Sequence, residues 1–78
     1  MEIQKGSVVR SKAGRDKGIV FMVLSLEGDM AYIADGKKRK TENPKGKKLK
    51  HLQGYNDVLN IEGEITNSKV RKALAVYI

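Results

Sequence analysis

The 78-residue chain lacks cysteine altogether and has a single proline and a single histidine. Without thiols it can form neither a disulfide nor a thiolate zinc site. No apolar run approaches the roughly 20 residues that span a bilayer, and the N-terminal residues lack the apolar region of a signal peptide. We therefore expect a soluble protein of the cytoplasm.

Sequence patterns that are typical of enzymes are also missing. The chain contains no GxxxxGK[ST] phosphate loop, no Ser/His/Asp arrangement and no paired carboxylates. His51 has Lys50 and Leu52 as neighbours rather than acids, which disfavours a metal site. The sequence predicts a protein that is not an enzyme and that needs no cofactor, metal or small-molecule substrate.

Aromatic residues are few: Phe21, Tyr32, Tyr55 and Tyr77. Three of them fall in apolar runs and are expected in the core, and only Tyr55 lies in a polar stretch where a base could stack. A platform that binds single strands by stacking normally has more exposed rings. The same scarcity argues against an aromatic cage for methylated lysine.

Positive charge is abundant and concentrated in one segment. The chain has 16 Lys and Arg against 9 Asp and Glu, a net charge of +7. Residues 37–50 hold eight of the cations and one acid, so this segment, less than a fifth of the chain, accounts for the whole excess: Lys37, Lys38, Arg39, Lys40, Lys45, Lys47, Lys48 and Lys50. Localised charge indicates an anionic partner, with nucleic acid the first candidate. The alternative is a solvated lysine run.

Short apolar runs separated by turn residues predict a mostly β protein. Strands are expected at residues 7–11, 19–24 and 30–34, and Asp35-Gly36 favours a type I′ turn that leads into a basic strand at residues 37–41. Residues 47–52 follow as a lysine-rich, exposed or edge strand. About five short strands indicate a small barrel or sandwich. The run at 19–24 does not alternate with polar residues, so both of its faces require cover.

The C-terminal part predicts one helix. Thr66, Asn67 and Ser68 are three possible N-caps, and Val70, Leu74 and Tyr77 form an apolar stripe with helical spacing. We expect a helix at about residues 67–77 that packs on the barrel and covers the second strand, although it could instead dimerise or dock a partner. The barrel is assigned to residues 1–54 and the extension to 55–78 of the same unit, with residues 53–64 unassigned.

Residues 11–18, SKAGRDKG, form a cationic tip between the first two strands, here called the 11–18 loop. Its glycines permit tight backbone paths, and Arg15 can grip a phosphate with two hydrogen bonds. Asp16 does not suit phosphate and is expected to accept hydrogen bonds from the loop's own backbone. The loop's alternative role is that of a solvated hairpin tip.

Gly6, the motif AGRDKG at 13–18, the apolar strand that follows, Asp35-Gly36 and the pair His51-Leu52 together resemble a KOW motif. The continuation of the chain resembles the KOW-containing large-subunit ribosomal proteins of archaea and eukaryotes. The C-terminal residues look like the small stand-alone bacterial KOW proteins that bind RNA. The resemblance implies an SH3-like barrel and a loop that contacts ribosomal RNA, here Lys12, Gly14, Arg15, Asp16, Lys17 and Gly18.

Taken together, these features predict a non-catalytic RNA-binding protein that acts in translation or ribosome assembly. We expect ribosomal RNA to bind the 11–18 loop and the basic 37–50 segment, with the shape of folded or double-stranded RNA as the main determinant. The second hypothesis is an adaptor domain of the transcription or translation machinery that binds protein. DNA binding is a third, because charge alone does not distinguish the two nucleic acids.

Overall fold

The computed structural model describes residues 2–60 and 63–77 of the chain. Its elements are five strands, one helix and two short 3₁₀ turns at Leu49–His51 and Ala75–Tyr77. The strands and the helix are β1 (Ser7–Ser11), β2 (Val20–Glu27), β3 (Met30–Ala34), β4 (Lys45–Lys48), β5 (Leu52–Val58) and α1 (Asn67–Leu74). The predicted mostly β class with one C-terminal helix is confirmed.

All five strands belong to one antiparallel sheet with the order β4-β3-β2-β1-β5. The pairing register shifts between Ser7 and Val9 in the β1–β5 pair and between Val23 and Ser25 in the β2–β3 pair. Such irregularities bend a strand and increase its twist. The sheet curls into a half-barrel, which is consistent with a small SH3-like barrel that carries a helix.

Residues 20–23 of strand β2 are buried on both faces, as the sequence predicts, whereas Ile19 before them and residues 25–27 after them are exposed. Phe21 and Val23 face the inside of the half-barrel together with Val9, Ile33 and Leu52. Because successive side chains of a strand point to opposite faces, Val20 and Met22 lie on the other side. There they pack with residues of the C-terminal helix in a second apolar cluster.

Helix α1 supplies that second cover. The side chain of Thr66 accepts a hydrogen bond from the backbone N–H of Lys69 (3.1 Å), so Thr66 is the N-cap among the three candidates. Val70 and Leu74 are buried against β1 and β2, and each contributes about 1.5–3 kcal/mol by leaving water. The expectation that the helix packs on the barrel is confirmed. No helix within residues 2–60 and 63–77 has the length and apolar character required to cross a membrane.

The predicted basic strand at residues 37–41 is wrong, since the chain forms a loop from 35 to 44, here called the 35–44 loop. The Asp35 carboxylate accepts hydrogen bonds from the backbone N–H groups of Lys37 and Arg39, both at 2.9 Å. This closes a compact loop instead of launching a strand. A type I′ turn also requires positive φ at both central residues, and within the described chain only glycines have positive φ.

The second half of the basic segment is also divided differently from the prediction. The edge strand β4 is Lys45–Lys48, residues 49–51 form a 3₁₀ turn, and β5 extends to Val58 within the unassigned stretch. Strand β5 therefore crosses residue 54, the expected end of the barrel. In the same stretch Leu59 packs on the second apolar cluster and Val58 is about half exposed, whereas Ile61 lies outside the described residues.

Candidate functional site

An open groove of about 540 Å³ lies where the 11–18 loop, the 35–44 loop and the C-terminal helix meet. We call it the cationic groove. Side chains from six separate parts of the chain contribute to it, so it exists only in the folded protein. The residues that line it are Arg15, Asp16, Gly18, Ile19, Val20, Phe21, Asp35, Lys37, Lys38, Arg39, Lys45, Arg71, Leu74 and Tyr77.

The lining of this groove is strongly positive. It contains six cations, namely Arg15, Lys37, Lys38, Arg39, Lys45 and Arg71, against two carboxylates. Both carboxylates are already hydrogen-bonded within the protein, Asp16 to side chains and Asp35 to backbone N–H groups. The groove therefore offers positive charge to an incoming anion.

Backbone hydrogen bonds shape the 11–18 loop on one side of the groove. The N–H of Gly18 donates to the Ser11 carbonyl (2.9 Å), and the N–H of Lys17 donates to the Gly14 carbonyl (3.2 Å). Gly18 has a φ of 89°, a conformation that side chains with a Cβ disfavour, although no atom lies within 4 Å of where its Cβ would stand. Glycine is thus required here by the backbone conformation and not by crowding.

Asp16 fastens the loop to strand β4. Its carboxylate accepts hydrogen bonds from Ser11 Oγ (2.6 Å), Lys47 Nζ (2.6 Å) and Lys45 Nζ (2.9 Å). Lys47 also donates to the carbonyl of Ala13 at 2.8 Å. The expectation that Asp16 accepts hydrogen bonds from the loop's own backbone is therefore wrong. Its carboxylate bonds instead to the Ser11 hydroxyl and to two lysines that follow about 30 positions later in the chain.

The environment of Asp16 keeps it ionised. Its side chain is 14% exposed and that of Lys47 is 8% exposed. Burial by itself raises the pKa of a carboxyl group, but the hydrogen bonds from Lys47, Ser11 and Lys45 together lower the pKa of Asp16 well below its usual range. The loop is consequently held by an ion pair that is largely shielded from solvent.

Helix α1 holds the 35–44 loop on the opposite side of the groove. Arg71 Nη1 donates to the carbonyl of Gly36 (2.8 Å), and Asn67 Oδ1 accepts from the N–H of Thr41 (2.8 Å). Asn67 also donates from Nδ2 to Glu42 at 2.6 Å, and this bond, followed by others, lowers the pKa of Glu42. A Cβ on Gly36 would stand 2.5 Å from the Asn67 carbonyl oxygen, so only glycine permits this close approach.

The structure divides the predicted site residues into two groups. Those that line the groove are Arg15, Gly18, Lys37, Lys38, Arg39 and Lys45. Those that do not are Lys12, Gly14, Lys17, Lys40, Lys47, Lys48 and Lys50. All of the second group are exposed except Lys47, which is buried on Asp16. Lys48 follows Lys47 in the same strand and so points to the opposite face.

Sequence reasoning missed seven residues that line the groove: Ile19, Val20, Phe21, Asp35, Arg71, Leu74 and Tyr77. Arg71 and Asn67 are four positions apart and therefore share a helix face, which was visible in the sequence. What that face meets, the 35–44 loop, was not. Tyr77 was expected in the core, yet it is half-buried and contributes to the groove.

Within residues 2–60 and 63–77 no group of three or more His, Asp or Glu side chains is placed to hold a metal ion. No protein-family model matches the chain, and a search of curated proteins found no relative. What bears on function is the groove itself, in which six cations lie between two loops that hydrogen bonds and an ion pair hold in place.

Proposed function

We propose that the protein is a non-catalytic RNA-binding module that holds the phosphates of RNA in the cationic groove. One observation carries the proposal: Arg15 of the 11–18 loop and four cations of the basic 37–50 segment line the same groove, together with Arg71. The likeness of the 11–18 loop to a KOW motif suggests ribosomal RNA as the ligand and a role in translation or ribosome assembly.

The groove contains both kinds of phosphate donor. Arg15, Arg39 and Arg71 offer planar guanidinium groups that can bind a phosphate with two hydrogen bonds. Lys37 and Lys38 are exposed and offer ammonium groups that act as point charges. Contacts of this kind fix the backbone and read no bases, so the affinity is expected to depend little on RNA sequence.

The adaptor hypothesis is weaker on this structure. The apolar stripe of α1 that a protein partner would use is buried, with Val70 and Leu74 less than 2% exposed. Val76 in the 3₁₀ turn after the helix is 82% exposed, but one isolated side chain is a common feature of protein surfaces. If a protein partner binds, we expect its acidic side chains to occupy the cationic groove.

The test measures RNA affinity as a function of salt for two matched triple variants. The first, Arg15→Gln with Lys37→Gln and Lys38→Gln, removes three exposed charges from the groove. The second, Lys5→Gln with Lys48→Gln and Lys50→Gln, removes three exposed charges that do not line it. Circular dichroism verifies that both variants fold.

We expect the groove variant to bind at least about tenfold more weakly and to flatten the log–log salt slope by about 2 units, since each lost phosphate contact contributes about 0.7–0.9. The control should keep most of the wild-type affinity and slope. Equal losses in both variants would show that the charge acts without a defined site and would overturn the proposal. Polyglutamate bound as tightly as RNA would favour the adaptor, and equally tight duplex DNA would favour a general nucleic-acid binder.

A further inference from the structure

The cationic groove has an apolar floor that phosphate binding alone does not require. Its apolar lining, here called the floor, consists of Ile19 and Tyr77 together with Val20, Phe21 and Leu74. Ile19 is 44% exposed and is one of only four large apolar residues exposed within the described chain. It follows the 11–18 loop directly, so an apolar contact and a phosphate contact are adjacent at this point.

Two contacts hold the ring of Tyr77 in place. Its hydroxyl donates a hydrogen bond to Asp57, which raises the pKa of Tyr77. Its ring packs against that of Tyr55 with centroids 5.1 Å apart and planes tilted by 46°. A tyrosine with few free torsions loses little entropy when a ligand stacks on it, which makes it an efficient contact for a flat group.

A nucleobase is the flat, largely apolar group that accompanies phosphate in RNA. The groove's volume of about 540 Å³ lies within the range of about 300–1,000 Å³ that is typical of small-molecule sites. In a duplex the bases are paired and stacked inside, and only the backbone would reach the groove. In a single-stranded segment a base can turn outward and stack on a protein side chain.

We propose that the cationic groove binds an unpaired nucleotide, with its base on the floor formed by Ile19 and Tyr77 and its phosphates on Arg15, Lys37 and Lys38. This inference rests on the proposed RNA-binding function and specifies its ligand as single-stranded. It reverses the expectation that the shape of folded or double-stranded RNA is the main determinant of binding. One well-placed ring and one exposed isoleucine replace a broad aromatic platform.

Three probes of equal length test the inference: an RNA strand of about 12 nucleotides without self-complementarity, the same strand annealed to its complement, and a fully abasic strand that keeps only sugar and phosphate. We expect the single strand to bind roughly 5- to 100-fold more tightly than the abasic strand, which is the affinity that one or two stacked bases provide. It should also bind more tightly than the duplex.

Variants of the floor locate the effect. Ile19→Ser and Tyr77→Ser should each reduce the preference for the single strand over the abasic strand, while Tyr77→Phe, which keeps the ring, should retain most of it. Leu26→Ser is the matched control, since Leu26 is similarly exposed at 39% but does not line the groove. Because Tyr77→Ser removes core contacts, Ile19→Ser keeps the test decisive if that variant fails to fold.

The two proposals fail in different ways. If the duplex or the abasic strand binds as well as the single strand while the Arg15, Lys37 and Lys38 variant still weakens all three, the base-binding floor is refuted and RNA binding stands. If no probe responds to the groove charges, the proposed function itself is overturned. A single-strand preference that survives both Ile19→Ser and Tyr77→Ser would place the base elsewhere and contradict the inference.

Discussion

Strand β4 and the 35–44 loop are adjacent in sequence and contain three lysines each, but they use their charges differently. In β4, Lys45 and Lys47 bond to Asp16 and hold the 11–18 loop. In the loop, Lys37 and Lys38 are exposed and line the groove. Charges of one kind thus form internal ion pairs in one region and remain exposed in the other, where we propose that they bind phosphate.

The two loops that border the groove are also held by different forces. The 11–18 loop depends on the shielded ion pair between Asp16 and Lys47. The 35–44 loop is held by hydrogen bonds to α1, in which Arg71 donates to a backbone carbonyl and Asn67 accepts from a backbone N–H. Removing one member of a shielded pair leaves the other charge without compensation, so its cost exceeds that of losing an ordinary hydrogen bond. The following predictions test this difference, from the largest expected effect to the smallest.

Asp16→Asn should reduce the free energy of unfolding by about 3 kcal/mol, because Lys47 is then left buried without its counter-ion. That is a large share of the total stability of a small domain, about 5 kcal/mol. Urea denaturation measures it, and Asp29→Asn, at an exposed position of the β2–β3 turn, serves as the control. A loss below about 1 kcal/mol would mean that the ion pair is not needed to hold the fold.

Acid should weaken the wild-type protein through the same carboxylate. The pKa of Asp16 is lowered in the folded state, so its contribution to stability is fully present above the unfolded-state value of about 3.9 and is lost as the pH falls below it. Denaturation midpoints measured downward from pH 6 should therefore decrease most steeply below about pH 4. The Asp16→Asn variant should show a shallower decrease, and identical profiles would contradict this assignment.

Gly36→Ala should destabilise the protein by about 2 kcal/mol, since φ is 79° and the new Cβ would meet the Asn67 carbonyl oxygen. Gly28→Ala is the matched control, with a φ of 61° and open space around it, and should cost only about 1 kcal/mol for the conformation alone. Thermal denaturation compares the two. Equal losses of stability in the two variants would show that the 35–44 loop moves away from the helix at no cost and would contradict the prediction.

Lys37→Gln combined with Lys38→Gln should change the free energy of unfolding by less than about 0.5 kcal/mol, because both side chains are exposed and hold no other part of the chain. Lys47→Gln in β4, which breaks the pair with Asp16, should cost several times more. Side-by-side urea titrations decide. A large loss in the loop variant would mean that its lysines support the fold and would remove the contrast between the two regions.

Much of the fold was predictable from local patterns. The six-residue apolar run before Ser25 indicated a strand covered on both faces, and Val70 and Leu74 indicated the helix that covers it. The prediction of a basic strand at 37–41 was wrong because the Asp35 carboxylate bonds the backbone N–H groups of Lys37 and Arg39 and closes a loop. These bonds replace pairing with the sheet, and a hydropathy pattern does not reveal them. For the candidate site, charge density indicated the 11–18 loop and the 37–50 segment. It did not indicate which of their lysines are exposed in the groove and which are paired with Asp16.

The sequence by itself determined the mostly β class, the position of the C-terminal helix and the excess of seven positive charges, because these follow from residue type and spacing along a short stretch. Only the tertiary structure decided which charges face solvent. Asp16 and Lys47 are 31 positions apart, and Gly36 and Arg71 are 35 apart. Electrostatic and hydrogen-bond partners are chosen by distance in space, and the folding of the sheet and the helix sets that distance.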